Sequence, residues 1–280
     1  MVTRWSLSPL WDEETFLLVY MGEIKMEKRI TGHTELLGLI ATPIRHSKSP
    51  VMHNAACRAL GLDYAYLAFD IQPDQLEDAV KGFKALNVRG WNVSMPYKTT
   101  IGQYLDHITP IAKMCGAINT VINDHGVLTG TITDGTGYMT ALKDQGIDII
   151  GKKMTIVGAG GAATAIVMQA ALDGVKEISI FNIKDASWDR ALENVEKINS
   201  QTQCKAQLFD LNDHETLRKD LIVSDVIYMP EKTKLLEEAE KIGCKTINGL
   251  GMMLYQGAAS FKLWTDQDMP IDVVKEALDF

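Results

Sequence analysis

Residues 152–174 read KKMTIVGAGGAATAIVMQAALDG, and this stretch decides the fold class of the chain. Its first apolar part, Met154–Val157, has the length and composition of a buried strand. The glycines that follow predict a tight turn that opens a helix. The strand EISIFN (Glu177–Asn182) comes next, and a helix at about 187–199 leads to a third strand at 206–209. Strands and helices that alternate at this spacing predict a parallel α/β unit.

The turn itself matches the pattern G-x-G-x-x-G/A through Gly158, Gly160 and Ala163. The first glycine makes the turn, the second lets the backbone approach a pyrophosphate, and the helix N-terminus offers free N–H groups. Asp185 lies 27 residues after Gly158, just past the next strand, where a carboxylate can hydrogen-bond an adenosine ribose. A glycine-rich turn without a ligand is the alternative, but the strand, the helix and the acid around it favour a dinucleotide site.

A second α/β pattern precedes this one along the chain. The runs LLGLIA (36–41), YAYLAFDI (64–71) and VRGWNVSM (88–95) predict strands, and an amphipathic helix that begins near Leu76 separates the last two. We therefore predict a two-domain α/β protein with an N-terminal three-layer α/β substrate domain and a Rossmann-type dinucleotide-binding domain. The predicted divisions are an extension at 1–35, the substrate domain at 36–133, the dinucleotide domain at 134–250, and C-terminal helices at 251–280 that return to the substrate domain.

Composition excludes several classes of protein. The 280 residues carry a formal net charge of −8, with 46% hydrophobic and 23% charged residues, which is enough apolar surface for a core and unlike a disordered tail. A nucleic-acid binder would carry clustered Lys and Arg, and a membrane helix would need roughly 18 consecutive apolar residues; neither is seen in the sequence. The six histidines have no zinc-binding spacing, so we predict no metal. The spacing of the four cysteines favours reduced thiols and a cytoplasmic location.

Lys98 and Asp134 are the predicted chemical pair. Lys98 follows NVSMP at a strand end, and Asp134 lies in the polar turn TDGTG, and such loops are where α/β active sites are built. A lysine beside a carboxylate can deliver and recover a proton. The alternative is two solvated surface charges, because no periodicity pairs residues 36 positions apart.

Uncharged polar residues suit a polyol that carries a carboxylate. Loop serines are, however, more often helix caps or turn formers, and Ser49 could serve only as a cap. The paired residues Met252 and Met253 are most simply core filler. The polar residues are Ser47, Ser49, Asn92, Ser94 and Asn119.

Six motifs in order along residues 36–280 resemble the shikimate/quinate dehydrogenase family. The resemblance implies an NAD(P)-dependent oxidoreductase that interconverts shikimate and 3-dehydroshikimate, or quinate and 3-dehydroquinate, by hydride transfer. The motifs are SKSPVMHN (47–54), NVSMPYK (92–98), GAINT (116–120), TDGTG (133–137), GAGGAA (158–163), and DVIYMPEKTKLL (225–236) with GMMLYQGA (251–258).

The resemblance also implies a role for individual residues. Lys98 and Asp134 would be catalytic and handle the proton, and Ser47 and Ser49 would hold the substrate carboxylate. The implied substrate-binding residues are Ser47, Ser49, Asn92, Ser94, Lys98, Asn119, Asp134, Tyr228 and Gln256. The implied cofactor-binding residues are Gly158, Ala159, Gly160, Gly161, Ala162, Asn182, Lys184, Asp185 and Gly249.

The residues after the second strand of the dinucleotide domain indicate which cofactor is preferred. Relatives that use NADP tend to carry Asn-Arg-Thr after the second strand of the dinucleotide domain, whereas this chain has Asn182-Ile183-Lys184-Asp185. Asp185 would repel a 2′-phosphate and suits a free ribose hydroxyl, so we predict NAD as the preferred cofactor, with NADP use left open by Lys184. The alternatives are an NADP-specific shikimate dehydrogenase of aromatic amino-acid biosynthesis and a non-catalytic ligand-binding relative. A small-molecule substrate is the expected partner, and a homodimer is a candidate assembly.

One departure from the family pattern stands out. After HETLRKDL (214–221) the chain passes straight to the segment that begins at Ile222, where the family normally has an added strand and a loop of Asn-Ala-Thr-x-x-Gly-Met type. Either the chain has lost this segment or the strand belongs to the protein; we expect the second, because losing roughly 30 residues would leave unpaired backbone groups and exposed apolar faces.

Overall fold

A computed structural model describes residues 30–211 and 220–279 of the chain. The predicted extension at 1–35 therefore lies largely outside the described residues. A compact unit begins at Glu35, and it contains every helix and strand of the described residues.

The first half of this unit is a six-stranded sheet in the order β2-β1-β3-β5-β6-β4. β1 pairs in parallel with β2 and with β3, and β5 runs antiparallel to β3. The strands are β1 (Glu35–Ala41), β2 (Tyr64–Asp70), β3 (Gly90–Val93), β4 (His107–Ile108), β5 (Thr120–Asp124) and β6 (Val127–Thr131). The helices are α1 (Ser49–Ala59), α2 (Leu76–Ala85) and α3 (Pro110–Cys115).

The core of this half forms where the sequence pattern predicts it. The face of α2 that carries Leu76, Val80 and Phe83 is buried, and it packs in one cluster with Trp91 of β3. β1 lies between two parallel neighbours, so its last five residues are all buried. The central position of β1 and β3 brings their carboxyl ends together at one edge of the sheet.

The second half contains a three-stranded parallel sheet in the order β7-β8-β9 and a separate two-stranded parallel sheet, β10-β11. The strands are β7 (Lys153–Val157), β8 (Glu177–Asn182), β9 (Lys205–Asp210), β10 (Ile222–Ser224) and β11 (Lys245–Ile247). The helices are α4 (Asp134–Asp144), α5 (Gly161–Asp173), α6 (Trp188–Gln201), α7 (Lys234–Ile242), α8 (Leu250–Thr265) and α9 (Ile271–Ala277). The α/β fold with a Rossmann-like parallel sheet confirms the predicted fold class.

The expected additional strand is not among the described residues, and its expected position borders residues 212–219, which lie outside them. Within the described residues, β7 pairs with β8 along one edge and with no strand along its other edge, and β10 pairs only with β11. Val157 of β7 is 63% exposed and Ile222 of β10 is 48% exposed, whereas parallel strands are normally buried on both faces. We call the edge of β7 that faces away from β8, together with the edge of β10 that faces away from β11, the open seam.

The last two helices pack on the first half of the unit. Trp264 near the end of α8 donates a hydrogen bond from Nε1 to the Val121 carbonyl in β5, at 2.9 Å. Leu254 and Phe261 of α8 share a buried cluster with Met52 of α1. α8 therefore links the segment that follows β11 to the sheet of the first half. Within the described residues, no helix has the length and apolar character that crossing a bilayer requires.

Candidate active site

One cleft at the carboxyl ends of β1 and β3 collects the side chains that the sequence assigns to a substrate. The cleft has a volume of about 240 Å³, which suits a small metabolite. Its lining includes all nine of them: Ser47, Ser49, Asn92, Ser94, Lys98, Asn119, Asp134, Tyr228 and Gln256.

Lys98 and Asp134 form an ion pair in this cleft, with Nζ and Oδ2 2.6 Å apart. Lys98 lies in a short 3₁₀ helix (Tyr97–Thr99) that follows β3, and its carbonyl accepts a hydrogen bond from the Ile118 N–H at 2.8 Å. The Lys98 side chain is 24% exposed and that of Asp134 is 9% exposed, so neither is a solvated surface charge. The pair is thus fixed between two elements and can still be reached from the cleft.

The motif TDGTG is the start of a helix, and the prediction of a turn there was wrong. Asp134 is the first residue of α4. A Cβ at Gly135 would collide with the Ala165 carbonyl of α5, and a Cβ at Gly137 would collide with the Gln256 backbone of α8. The two glycines therefore let α4 pack closely between α5 and α8, and this packing brings Asp134 to the cleft.

Asn119 orients the Asp134 carboxylate from the side opposite Lys98. Its Nδ2 donates to Asp134 Oδ1 at 2.8 Å, and its Oδ1 accepts from the Thr133 N–H at 2.9 Å. Each carboxylate oxygen thus has its own donor, one amide and one ammonium. Gln256 Oε1 lies 3.3 Å from the same Asn119 nitrogen and so extends the network to α8.

Asn92 lines the cleft, but most of its hydrogen bonds are made inside the protein. Its Oδ1 accepts from the Tyr66 hydroxyl at 2.7 Å, and its Nδ2 lies 3.1 Å from the Ser260 hydroxyl and from the Asn119 carbonyl. Ser260 in turn contacts the Thr120 hydroxyl at 2.7 Å. This buried set of polar groups holds β3, β5 and α8 in register behind the cleft.

Ser49 is not the cap of α1, because the N-cap residue is Lys48. Ser47 Oγ accepts a hydrogen bond from the Ser49 N–H at 3.2 Å, so Ser47 closes the turn that leads into the helix. Both serines border the cleft at the N-terminus of α1.

Three further residues of the cleft wall were missed by the sequence analysis. The sequence predicts Met252 and Met253 as core filler and indicates no role for His46, but all three line the cleft. Met252 and Met253 precede Gln256 on α8 by four and three residues, a spacing that puts them on its face. His46 directly precedes Ser47, and that adjacency was the available signal.

The glycine turn has the backbone geometry that a bound pyrophosphate requires. Gly158 has a positive φ of 96°, and Gly160 is the N-cap residue of α5. A Cβ built at Gly158, Gly160 or Gly161 would meet no atom within 4 Å, so the approach to the first turn of α5 is open. The first N–H groups of a helix have no partner within the helix and can bind an anion. These residues therefore fit a dinucleotide.

The turn and the ion pair lie close together through the packing of α4 on α5. Gly135, next to Asp134, packs against Ala165, which is four residues after Gly161 at the start of α5. At 1.5 Å per residue this is a rise of about 6 Å along the helix. The glycine turn at the start of α5 therefore lies near the Lys98–Asp134 pair.

At the predicted ribose end, Asp185 is engaged in a turn. Its Oδ1 accepts hydrogen bonds from the Ser187 N–H at 2.8 Å and the Ser187 hydroxyl at 2.6 Å, and these bonds lower the pKa of its carboxyl. Asn182 Nδ2 donates to the same Ser187 hydroxyl at 2.8 Å. Lys184 Nζ lies 3.3 Å from Asp210 Oδ2 and 5.7 Å from the centre of the Trp188 ring.

Gly249 was assigned to the cofactor, and the structure puts it on the wall of the cleft, at the N-cap of α8. A Cβ there would collide with the Val226 carbonyl oxygen. In the described residues no three His, Cys, Asp or Glu side chains come together as a metal site would need.

Comparison with known families gives two matches. Residues 39–121 match the shikimate dehydrogenase substrate binding domain, and residues 249–278 match the shikimate 5′-dehydrogenase C-terminal domain. A protein of Listeria monocytogenes named shikimate dehydrogenase (NADP(+)) is 60% identical over 287 residues, which cover 91% of this chain and 99% of that protein.

Solved structures agree in fold. The crystal structure of shikimate 5-dehydrogenase from Listeria monocytogenes in complex with shikimate and NAD has a TM-score of 0.87 and 60% identity, covering 91% of this chain and 99% of the other. Quinate dehydrogenase from Corynebacterium glutamicum in complex with NAD has a TM-score of 0.79 and 26% identity, covering 88% and 98% of the two chains.

The alignment with the Listeria protein contains more positions than this chain fills. Since 91% of 280 residues is about 255, about 32 of the 287 aligned positions have no counterpart in this chain. A gap of this size agrees with the segment that is absent before β10.

Proposed function

Because the chain belongs to the shikimate dehydrogenase family, we propose that it catalyses the reversible oxidation of shikimate to 3-dehydroshikimate. It is an oxidoreductase that acts on a CH–OH group with a nicotinamide dinucleotide. The observation that carries the proposal is the Lys98–Asp134 ion pair, 2.6 Å long, at the base of a cleft of suitable size and polarity.

The proposed division of labour follows the chain. Residues 36–133 and the C-terminal helices at 251–280 bind the substrate, and residues 134–250 bind the dinucleotide. Ser47 and Ser49 donate hydrogen bonds to the substrate carboxylate at one end of the cleft. The amides and hydroxyls around the other end bind the ring hydroxyls: Asn92, Ser94, Asn119, Tyr228 and Gln256.

The chemistry of the chain's own residues is proton transfer. The bound nicotinamide supplies the hydride acceptor in the oxidation. Lys98 Nζ and Asp134 Oδ2 hydrogen-bond the reacting hydroxyl, and Lys98 in its neutral amine form takes up the hydroxyl proton as the carbonyl forms. In the reverse direction the Lys98 ammonium stabilises the charge that develops on the carbonyl oxygen and returns the proton. Asn119 keeps the carboxylate in the orientation that this exchange needs.

The rate of shikimate oxidation tests this assignment. We expect the wild-type chain to turn over shikimate, and we expect Lys98→Ala or Asp134→Asn to lower kcat by roughly 10²- to 10⁴-fold, the range for a lost acid–base group. Lys84→Ala is the matched control, because Lys84 pairs with Asp106 at 3.3 Å on the exposed surface. Unchanged turnover in folded Lys98→Ala would contradict the proposal.

For the cofactor, we propose NADP as the preferred form, with NAD also accepted. The sequence predicted NAD because Asp185 would repel a 2′-phosphate, and the Ser187 hydrogen bonds keep that carboxylate charged, so the proposal rests on Lys184 and on the relatives. The Lys184 side chain is 69% exposed and can leave Asp210 to contact a phosphate. The name of the 60% identical relative also favours NADP, while its crystal structure contains NAD.

A variant at Lys184 separates the two cofactors. We expect Lys184→Ala to raise KM for NADP by about tenfold, the equivalent of one charge-assisted contact, and to leave KM for NAD within about twofold. Lys153→Ala is the control, since Lys153 pairs with Glu177 on the surface at the opposite end of β7. A tenfold advantage for NAD over NADP in kcat/KM of the wild-type chain would restore the original prediction.

Quinate is the second substrate to be measured, because it differs from shikimate near C1 and the quinate dehydrogenase shares this fold.

We also propose a cytoplasmic location, on the basis of the cysteine thiols. None of the four cysteines, all of them in the described residues, forms a disulfide, and burial together with the charge of Asp134 raises the pKa of Cys115 to about 12. The homodimer stays a prediction.

A further inference from the structure

The charges that line the cleft do not balance an acidic substrate. Among the described residues of the cleft wall, Lys98 and Asp134 carry opposite charges and pair at 2.6 Å, so together they contribute no net charge. Ser47 and Ser49 can donate hydrogen bonds to a carboxylate, but a hydroxyl leaves the negative charge in place. A charge that is taken out of water without a partner is costly.

His46 is the remaining basic side chain of the described cleft wall. It lies on the loop between β1 and α1, directly before Ser47. Its side chain is exposed to solvent, and no described residue pairs with its ring or accepts a hydrogen bond from it. The imidazole is therefore available at the same end of the cleft as the two serines.

We propose that His46 is a further substrate-binding residue, whose protonated imidazole pairs with the substrate carboxylate beside Ser47 and Ser49. The proposal rests on the proposed function, because it needs an anionic substrate in this cleft. A charge-assisted hydrogen bond is roughly twice as strong as a neutral one, so the pairing adds affinity that the serines alone do not supply. The other charged or titratable groups around His46 are Arg45 and Lys48 on its own loop, and Lys98, Asp134 and Tyr228 across the cleft.

The experiment varies the charge on both partners. KM and kcat are measured for shikimate and for its methyl ester, which keeps the ring hydroxyls and lacks the negative charge. We expect His46→Gln to raise KM for shikimate by roughly five- to tenfold with kcat within about twofold, and to leave KM for the ester unchanged. His46→Lys, which restores a cation, brings KM for shikimate back toward the wild-type value.

A neighbouring cation serves as the control. Arg45 is exposed and does not line the cleft, so Arg45→Gln leaves KM for shikimate within about twofold if the effect belongs to the cleft rather than to the net charge of the loop. Equal increases in KM for the acid and the ester in His46→Gln would overturn the proposal, because they would indicate ring packing or hydrogen bonding instead of charge pairing. An unchanged KM for the acid would overturn it as well.

Calorimetric titration keeps this test separate from the test of catalysis. If the wild-type chain binds shikimate but does not turn it over, the proposed function fails while the dissociation constants of wild type and His46→Gln still decide the role of His46. We expect the dissociation constant for shikimate to be five- to tenfold larger in the variant, in line with the expected change in KM. If neither turnover nor binding of shikimate is observed, both proposals are overturned.

Discussion

Gly249 stands where the chain leaves β11 and enters α8, with its α-carbon against the carbonyl oxygen of Val226. We expect Gly249→Ala to lower the free energy of unfolding by about 1–3 kcal/mol, because the added methyl group must push α8 away from Val226. Urea denaturation measures this change. Turnover falls too, since Gln256 moves with α8.

Gly82 provides the opposite case for the same substitution. It lies within α2, and a Cβ there would meet no atom within 4 Å. Gly82→Ala should therefore raise the free energy of unfolding by about 0.5–1 kcal/mol through lower backbone entropy in the unfolded chain. Equal loss of stability in both variants would show that the contact with Val226 is not the cause.

His53 makes the stability of the fold depend on pH. It is fully buried in α1, its ring stacks on Tyr66 at 4.3 Å, and burial lowers its pKa to about 3. Neither ring nitrogen makes a hydrogen bond of normal geometry, although Asn92 lies close enough to oppose the shift weakly. The unfolded chain binds a proton on His53 below pH 6.5 and the folded chain does not, so acid favours unfolding.

The sign of the effect can be measured. Between pH 7 and pH 5 we expect the free energy of unfolding of the wild-type chain to fall by about 2 kcal/mol from this one group. His53→Gln should remove that part of the pH dependence, at a cost in stability at pH 7. His33→Gln, which removes an exposed histidine, should leave the slope as it is in the wild type. A wild-type slope preserved in His53→Gln would contradict the assignment.

Single residues of the site were only partly accessible to sequence reasoning. Periodicity does not pair Lys98 with Asp134, and the prediction of this pair came from motifs in a fixed order along the chain. The orientation of the carboxylate by Asn119 could not be predicted, because it depends on the distance between β5 and the start of α4. His46 was missed because a loop histidine has no pattern of its own.

At the scale of strands, β1 and β7 form a natural comparison. β1 is hydrogen-bonded along both edges, to β2 and β3, while β7 pairs with β8 and with no second strand of the described residues. We expect the amides of β7 that point into the open seam to exchange at least tenfold faster than those of β1, because their N–H groups face solvent. Hydrogen exchange followed by mass spectrometry measures both strands in one sample.

The same experiment has an internal reference and a clear contrary result. β8 is hydrogen-bonded to β7 on one side and to β9 on the other, so we expect its amides to exchange more slowly than those on the outer edge of β7. Equal protection of β7 and β8 would mean that the outer edge of β7 is covered in solution, and the open seam would then not exist there.

Elements with a strong apolar pattern were predicted to within a residue or two, as for β1 and β8. TDGTG was misread because glycine disfavours a helix in isolation. In this protein Gly135 and Gly137 occur in α4 since only glycine allows the close approach of α5 and α8. Tertiary packing of that kind leaves no periodic trace in the sequence.

At the scale of the whole molecule, the open seam should weaken nucleotide binding. We expect insertion of the strand and loop of the family pattern, roughly 30 residues placed between Leu221 and Ile222, to pair with the open edge of β7. The inserted chain should unfold at a higher temperature than the wild type, and its KM for NADP should be lower, because the inserted strand pairs with β7. Thermal unfolding and initial rates measure the two effects.

A second insertion tests whether position matters. The same segment placed in the turn between β5 and β6, at Asp124–Val127, lengthens the chain without reaching the seam. That variant should show no gain in thermal stability and no change in KM for NADP. Similar gains from both insertions would count against the seam as their cause.

The α/β architecture could be predicted from the sequence, whereas the strand expected before β10 has no counterpart among the described residues. The expectation of a complete sheet came from the cost of unpaired backbone groups, which is a sound average for folded proteins. In this chain Asp210 ends β9 and Ile222 begins β10, so too few residues lie between them for a helix, a strand and a long loop. The family pattern calls for more residues between β9 and β10 than this chain has there.

The unpaired edge of β7 should promote association of the protein in concentrated solution. Two molecules that meet there can share main-chain hydrogen bonds, with the side chain of Val157 among the first to be covered. Concentrated stocks should therefore become turbid sooner than dilute ones, and light scattering should rise with the square of concentration at early times.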